Sequence, residues 1–524
     1  MVFSAPETRF LKAVDEKVVA AHRHIADFWP RLTRSDDSDD EGRVPLPHPY
    51  VVPNTDLFPY LFYWDSYFTL VGLAVDGQRE LMRWMVDNFL HEMREFGLVL
   101  NYSHPDSLTR SQPPYLTLMI KEVLKHDLDH DWLREAFSLA QAEYEQVWVG
   151  SHDTPVGLSR YCDPGAPDSE KRAQFESGWD FSSRWKRRCR HLAAVDLNCN
   201  LYQYERDLAE FAQLLGNGEE ANRWLAKADE RRERIMRYLY DPVQGLFFDY
   251  DYLVGHRLND SYSLATFHPL FVGLVTPQEA ARVVEKLGLF ERAGGLVTTS
   301  HQPQAEETYQ WDYPNGWPPL HWIALKGLKR YGYFEEAARL AVKWLTLGAE
   351  MFAQTGRMWE KYNVVERNLA VVTSYPNQHG FGWTNGVYSA LLGKVIAGLD
   401  FDLARRVVTL EPLLCPTFAG QEFAARFHRY LVDDLTLRFS SEPDLRRVEI
   451  GVAAGQAIPA IEVRVRDHFP AETPVVTLNG VPCDYRRERQ PYETVMVEMS
   501  DIEEFTLSVA WDGVQKPGFS LKRM

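Results

Sequence analysis

From about residue 60 to 398, apolar positions recur with a helical period. Between Glu219 and Tyr240, Ala221, Trp224, Leu225, Ala228, Ile235 and Leu239 fall on one face. Between Glu335 and Gly348, Ala337, Ala341, Trp344 and Leu345 do the same. Each predicted helix follows a short glycine-containing break, Gly216-Asn217-Gly218 or Tyr331-Gly332-Tyr333, that separates it from another apolar helix. Recurrent hairpins of this kind predict stacked helix pairs, arranged as a solenoid or as a closed α/α toroid. The segments that carry reactive side chains lie in the breaks, which favours a closed toroid whose loops converge on one end. Past about residue 434 the pattern becomes short β-branched runs: Leu435–Phe439, Val448–Val452, Ile461–Val465, Val475–Leu478, Val495–Met499 and Phe505–Val509. Turn residues such as Asn479-Gly480 separate them, predicting a small antiparallel β-sandwich. The chain is therefore expected to be mainly α, with a toroid domain over residues 1–430 and a β-sandwich-like domain over 431–524.

Composition changes this picture only by exclusion. The 524 residues are 45% hydrophobic and 25% charged, which suits a globular chain with a large core. A formal net charge of −17 argues against nucleic acid or an anionic membrane as the partner and fits a small neutral substrate. Five cysteines, an odd number with no C-x-x-C spacing, argue against a disulfide framework or structural zinc. The first 28 residues carry Glu7, Asp15 and Glu16 with no apolar core of a signal peptide, and no run of eighteen apolar residues occurs. A cytoplasmic protein without a membrane span is the expectation. The run Ser35-Asp36-Asp37-Ser38-Asp39-Asp40-Glu41-Gly42 reads as a solvated loop held open by like-charge repulsion.

Four breaks pair tryptophan with a carboxylate. They are Phe62-Tyr63-Trp64-Asp65, Gly178-Trp179-Asp180-Phe181, Gln310-Trp311-Asp312-Tyr313-Pro314-Asn315-Gly316-Trp317, and Met358-Trp359-Glu360-Lys361. One Trp-Asp pair alone is usually a helix start, with the Asp as cap and the Trp in the core. Four of them beside breaks suit a sugar, whose apolar C–H faces need flat aromatic platforms and whose hydroxyls need carboxylate and amide partners. Asp180, between aromatics, is suited to a raised pKa and a general-acid role. Glu360, beside Lys361, is suited to stay ionised as a base, unless Lys361 merely points to solvent. Glycoside hydrolysis needs one of each across the scissile bond.

These segments resemble the trehalases, glycoside hydrolase family 37. Gln310–Pro319 is similar to the family's second signature, and Gly380-Phe381-Gly382-Trp383-Thr384-Asn385-Gly386-Val387 matches a further family stretch. Arg110-Ser111-Gln112-Pro113-Pro114 and Val195-Asp196-Leu197-Asn198 also match. The resemblance runs from about Phe58 to Val387. It implies an (α/α)6 toroid, inversion of configuration, and no metal or other cofactor. It also implies Asp180 as acid and Glu360 as base, with carboxyls about 6.5–9.5 Å apart. Substrate contacts are expected from Phe58, Trp64, Asp65, Asn101, Arg110, Gln112, Gly178, Trp179, Trp311, Asp312, Asn315 and Trp383. Trehalose is then the leading substrate. Another α-glucoside such as glucosylglycerate, or a sugar-binding toroid without catalysis, are the alternatives, the last disfavoured by retention of both carboxylates. Three positions depart from the family pattern: Leu57 and the Gly165–Ser169 segment lack its arginines, and Ser374 replaces its glutamate. A less charged, more open leaving-group side is expected, unless Arg160 or Arg172 supplies a cation.

Overall fold

The computed structural model describes residues 9–11, 15–35, 42–301, 309–489 and 491–511. The acidic residues 36–41 lie outside them, and so does the loop expectation made for that stretch. The described chain is mostly helical, followed by a C-terminal sheet. Its helices are α1 (Glu16–Leu32), α2 (Tyr63–Val75), α3 (Arg79–Phe96), α4 (Leu116–Leu124), α5 (His130–Glu143) and α6 (Glu170–Glu176). After these come α7 (Val195–Leu214), α8 (Gly218–Tyr238), α9 (His268–Phe271), α10 (Pro277–Val284), α11 (Pro318–Arg330), α12 (Phe334–Thr355) and α13 (Gly382–Ala390).

Two kinds of helix follow from two kinds of pattern. Every residue of α2 and of α13 is buried, as is nearly all of α11. A helix apolar all round must be enclosed by others. The enclosed helices touch in a closed sequence: α2 meets α4, α4 meets α7, α7 meets α9, α9 meets α11, α11 meets α13, and α13 returns to α2. One-sided helices pack outside them, with α3 on α2 and α4, α8 on α7, α12 on α11, and α1 on α12 and α13. In α8 the predicted face is buried at Ala221, Trp224, Ala228 and Ile235, and Asn217 caps the helix by accepting from the Glu220 amide. Leu225 departs from that expectation: it is 39% exposed, and Arg231 takes a buried place instead. Burial of Arg231 is made possible by Glu205, whose carboxylate lies 2.6 Å from its Nε.

The contact between α2 and α13 is made by two glycines. A methyl group on Gly386 would sit 2.1 Å from the Phe68 carbonyl oxygen, and one on Gly72 would sit 2.3 Å from the Gly386 Cα. Only hydrogen fits at either position, so the backbones run almost in touch. This approach brings the first turn of α2, with Trp64 and Asp65, beside the first turn of α13, with Trp383.

The β runs join in a way their spacing did not predict. Val448–Val452 and Ile461–Val465 belong to one strand, Arg447–Arg466, and Val495–Met499 and Phe505–Val509 to another, Thr494–Ala510. These two long strands pair antiparallel, with a register shift between Ala453 and Ile458. Gly455 and Asp501, which resemble turn residues in sequence, sit where the strands shift register or take a positive φ rather than where the chain reverses. Among the described residues the main sheet has ten strands, seven along the order Arg9–Leu11, Glu422–Phe427, Leu435–Ser441, Arg447–Arg466, Thr494–Ala510, Val475–Leu478 and Val481–Pro482, and three off this path. It reaches back ahead of residue 431, through Leu399–Asp402 and Val407–Leu410.

The sheet docks on the C-terminal ends of the enclosed helices. Lys125, the C-cap of α4, meets Asp400 at 2.7 Å, and Lys329 in the last turn of α11 donates to the Glu411 carbonyl at 2.8 Å. Cations at helix C-termini also complement the macrodipole. Because α11 is 13 residues long, this junction lies roughly 20 Å along the axis from the opposite end of the helix.

Replacing Gly386 with alanine is expected to force α2 and α13 apart, lowering stability by about 1–3 kcal/mol as overpacking does. A thermal melt reads the loss. An unchanged Tm would show that the two helices have room to separate.

Candidate active site

The N-terminal ends of α2, α11 and α13 and the loops before them line one cavity of about 480 Å³. Its wall includes Phe58, Trp64, Asp65, Asn101, Arg110, Gln112, Gly178, Trp311 and Trp383, together with Asp180 and Glu360. Three of the residues expected to touch substrate stand behind that wall. Asp312 accepts from the Ser182 hydroxyl at 2.9 Å, the Ser183 hydroxyl at 2.9 Å, the Ser183 amide at 3.0 Å and the Tyr309 amide at 3.1 Å. Its oxygens are spent on fastening the loop that follows Asp180. Asn315 bonds the Gln310 and Val372 carbonyls and accepts from the Val372 amide, so it too is a fastener. Trp179 is fully buried, packed on Trp311 at 5.7 Å and covered by the Arg184 guanidinium at 4.4 Å. A motif of sugar-binding composition spends part of itself on holding its own loop.

The loop that carries Asp180 is held tightly. Gly178 has φ +70°, and a methyl there would lie 2.6 Å from the Trp64 ring, so glycine is required. Asp180 itself adopts φ +40°, a left-handed conformation uncommon outside glycine. Arg184, buried between Trp179 and Trp185, forks onto Asp196 and Asp249 at 2.7 Å each. Asp196, from the Val195–Asn198 segment, thus serves as an anchor for the loop.

Aromatic side chains form the inner wall. Trp311 and Trp317 stack at 3.9 Å with a 3° interplanar angle, and Trp383 meets Trp317 edge-on at 5.6 Å. Trp64 lies 5.6 Å from Trp311. The polar side of the wall is prearranged: Gln112 accepts from the Trp64 amide, and Asn101 donates to the Ser111 and Phe175 carbonyls. Arg110 Nε and Gln310 Oε1 are buried without a hydrogen-bond partner.

Three carboxyls, Asp65, Asp180 and Glu360, line the inner part of this space, with the Lys361 ammonium behind Glu360 and Arg110 in the wall. Burial, and then the charge of Glu360, raises Asp180 to a pKa of about 7. Its Oδ2 accepts from Gln310 at 3.1 Å. Asp65 is 6% exposed, and burial followed by the charges of Asp180 and Glu360 drives its pKa well up. Glu360 has both oxygens engaged, one by Lys361 at 2.7 Å and the other by the Tyr375 hydroxyl at 2.6 Å. Lys361 does not point to solvent: its side chain is fully buried, and its ammonium lies over the rings of Trp317 and Tyr375 at 4.7 and 4.6 Å. Among the described residues no group of three or more His, Cys, Asp or Glu is placed to hold a metal ion.

The cavity also takes residues outside the sequence-based set, among them Tyr60, Asp106, Arg172, Phe175, Gln310, Phe381, Phe181, Trp317 and Tyr375. Of the two arginines weighed as substitutes, Arg172 reaches the cavity. Arg160 instead donates to the Arg190 carbonyl and to Tyr252. Gln310, Trp317 and Tyr375 sit inside or beside quoted motifs, so position alone could have found them. Phe175 and Asp106 carry no local signal.

An aromatic-walled cleft that gathers several carboxyls suits an enzyme that cleaves carbohydrate. Comparison with known proteins gives the family. The trehalase family model matches residues 4–166 and 165–395. A periplasmic trehalase of Escherichia coli O1:K1 is 33% identical over 432 residues, covering 73% of this chain and 75% of its own. The neutral trehalase of Saccharomyces cerevisiae superposes with a TM-score of 0.60 at 30% identity, covering 68% of this chain and 75% of its own. The α-L-rhamnosidase of Dictyoglumus thermophilum shares the fold over 97% of this chain and 51% of its own, with a TM-score of 0.62 at 14% identity. The chain belongs to the trehalase family and is a glycosidase. The same comparison overturns the cytoplasmic expectation, because the matching Escherichia coli protein is a periplasmic one. Unpaired cysteines, four of them buried, do not distinguish the two compartments. No helix among the described residues is long and apolar enough to cross a membrane.

The raised pKa of Asp180 couples to stability. Its ordinary value is 3.8 and its folded value about 7, so between these the native state holds a proton that the unfolded chain has released. Stability therefore falls as pH rises through that window. Asp180→Asn removes the effect. Its Tm should exceed that of the parent at pH 8 and approach it near pH 4.5; an equal difference at both would contradict the assigned environment.

Proposed function

We propose that this cleft hydrolyses α,α-trehalose with inversion, Asp180 acting as general acid and Glu360 as general base. The observation that carries the reading is their contrast in one cavity: Asp180 titrates near 7, while Glu360 is clasped by Lys361 and Tyr375. Protonated Asp180 gives its proton to the glycosidic oxygen as the C1–O bond breaks and glucose departs. Water attacks C1 from the opposite face and passes a proton to Glu360, so the pair ends with its protons exchanged and resets through solvent. Lys361 and Tyr375 orient Glu360, and the strained backbone at Asp180 aims the acid.

Phe58, Trp64, Asp65, Asn101, Arg110, Gln112, Gly178, Trp311 and Trp383 form the glucosyl side, with Gln310, Trp317 and Tyr375 added to them. The buried Arg110 Nε and Gln310 Oε1 are suited to sugar hydroxyls. Trp179, Asp312 and Asn315 support this set from behind. The closed sequence of enclosed helices and the outer helices on it are read as an (α/α)6 toroid forming the first domain, with the sheet as the second and the boundary ahead of Leu399 rather than at residue 430. A periplasmic setting is favoured by the name of the Escherichia coli relative.

Trehalose turnover followed by glucose release is the direct test. Asp180→Asn and Glu360→Gln should each lower kcat by two or more orders of magnitude, in line with general acid–base roles of about 10²–10⁴-fold. Near-normal turnover in either variant removes that residue from the mechanism. Because Asp180 works protonated, kcat/KM should decline as pH rises past about 7, and a profile still rising there would contradict its role.

A further inference from the structure

The cavity changes character from its floor to its mouth. The floor is buried and holds Trp64, Asp65, Trp311 and Glu360. The mouth is lined by more exposed residues: Leu57 at 47% exposure, with Tyr60, Phe175, Phe181 and the pair Asp106 and Arg172. Exposed leucine at a pocket mouth is a solvent-facing apolar surface that the chain does not cover among its described residues. Tyr60 lies 5.5 Å from Tyr102, which itself stacks on Phe62 at 4.8 Å and 18°. Phe175 and Phe181 pair at 5.4 Å. These rings add carbon faces, with the Lys171 ammonium 5.4 Å from Phe175 and the Tyr102 hydroxyl already donated to Asp106.

The charges at the mouth are already engaged within the chain. The two Asp106 oxygens face the Tyr102 hydroxyl at 2.7 Å and His104 Nδ1 at 3.0 Å. Arg172 is paired with Asp163 through Nε and donates from Nη2 to the Asp106 carbonyl at 3.2 Å. Both residues are thus tied to neighbouring loops, Arg172 through its Nε and Nη2. Ser374, also at the mouth, carries no charge.

We propose that the leaving-group half of the cleft is a carbon-faced platform that accepts alcohols with an extended apolar face, so that alkyl and aryl α-D-glucosides are substrates alongside trehalose. This rests on the α-glucoside reading of the floor. The chemistry is the hydrolysis already described, with the alcohol in place of glucose. Selectivity comes from carbon surface removed from water at Leu57, Tyr60, Phe175 and Phe181.

A homologous series isolates this contact, because methyl, butyl and hexyl α-D-glucopyranosides lengthen the carbon chain with little change in leaving-group acidity beyond the first member. With the full-length protein, kcat/KM should rise about tenfold from methyl to hexyl, well short of what complete burial of five methylenes gives. Leu57→Asn should lower the hexyl-to-methyl ratio by about threefold or more, since it removes apolar contact area. Calorimetric binding of the same glucosides to Glu360→Gln provides a readout independent of turnover and should show the same ordering. A flat series in both assays, with trehalose still hydrolysed, overturns the platform and leaves the proposed function standing. A series that rises but is untouched by Leu57→Asn and Tyr60→Ser overturns the assignment to this mouth. Failure to hydrolyse or bind any α-glucoside, trehalose included, overturns both.

Discussion

The close approach of α2 and α13 at Gly72 and Gly386 is the constraint on which the active cleft depends. Each helix begins with residues of the cavity wall, and neither wall exists unless the two backbones nearly touch. With larger residues there, Trp64 and Asp65 would move away from Trp383, whose indole N–H donates to the Glu360 carbonyl at 3.1 Å. Glu360 would lose its backbone support through the same displacement. A contact buried in the core thus determines the geometry of a site at the helix ends.

Within the site, electrostatics follow from burial and from the unequal sharing of cations among the carboxyls. Asp65, Asp180 and Glu360 share a mainly aromatic enclosure, and Lys361 is bonded directly to only one of them. Glu360 takes the ammonium and the Tyr375 hydroxyl. Asp180, left with Gln310, lowers its energy by holding a proton near neutrality. The two carboxyls are thereby held in different environments by their neighbours, while the anchors at Arg184 and Asp312 fix the loop that follows Asp180.

Much of this was legible in sequence, for identifiable reasons. A helical period reports burial directly, so the enclosed and outer helices could be read, and Trp-carboxylate pairs at breaks marked the cleft. Leu225 was misread because periodicity assigns a face but not how wide it is, and a paired Arg231 can occupy a core position. Asp312 and Asn315 were misread because composition does not reveal whether a hydrogen-bonding group faces ligand or its own loop. The two long strands read as four short runs because the residues between the runs, where the pairing shifts register, break the apolar pattern as a turn would. Asp106 and Phe175 reach the cavity only through tertiary folding, and the compartment leaves no mark on the core or the cleft.

The central claim is that a water molecule, activated by Glu360, attacks opposite the bond that Asp180 protonates. Proton NMR of freshly cleaved trehalose tests it most directly, because the two product anomers can be followed before they equilibrate. Inversion at one anomeric carbon predicts equal initial amounts of β-glucose and α-glucose. Initial release of α-glucose alone would contradict the account, since it requires retention through a covalent intermediate.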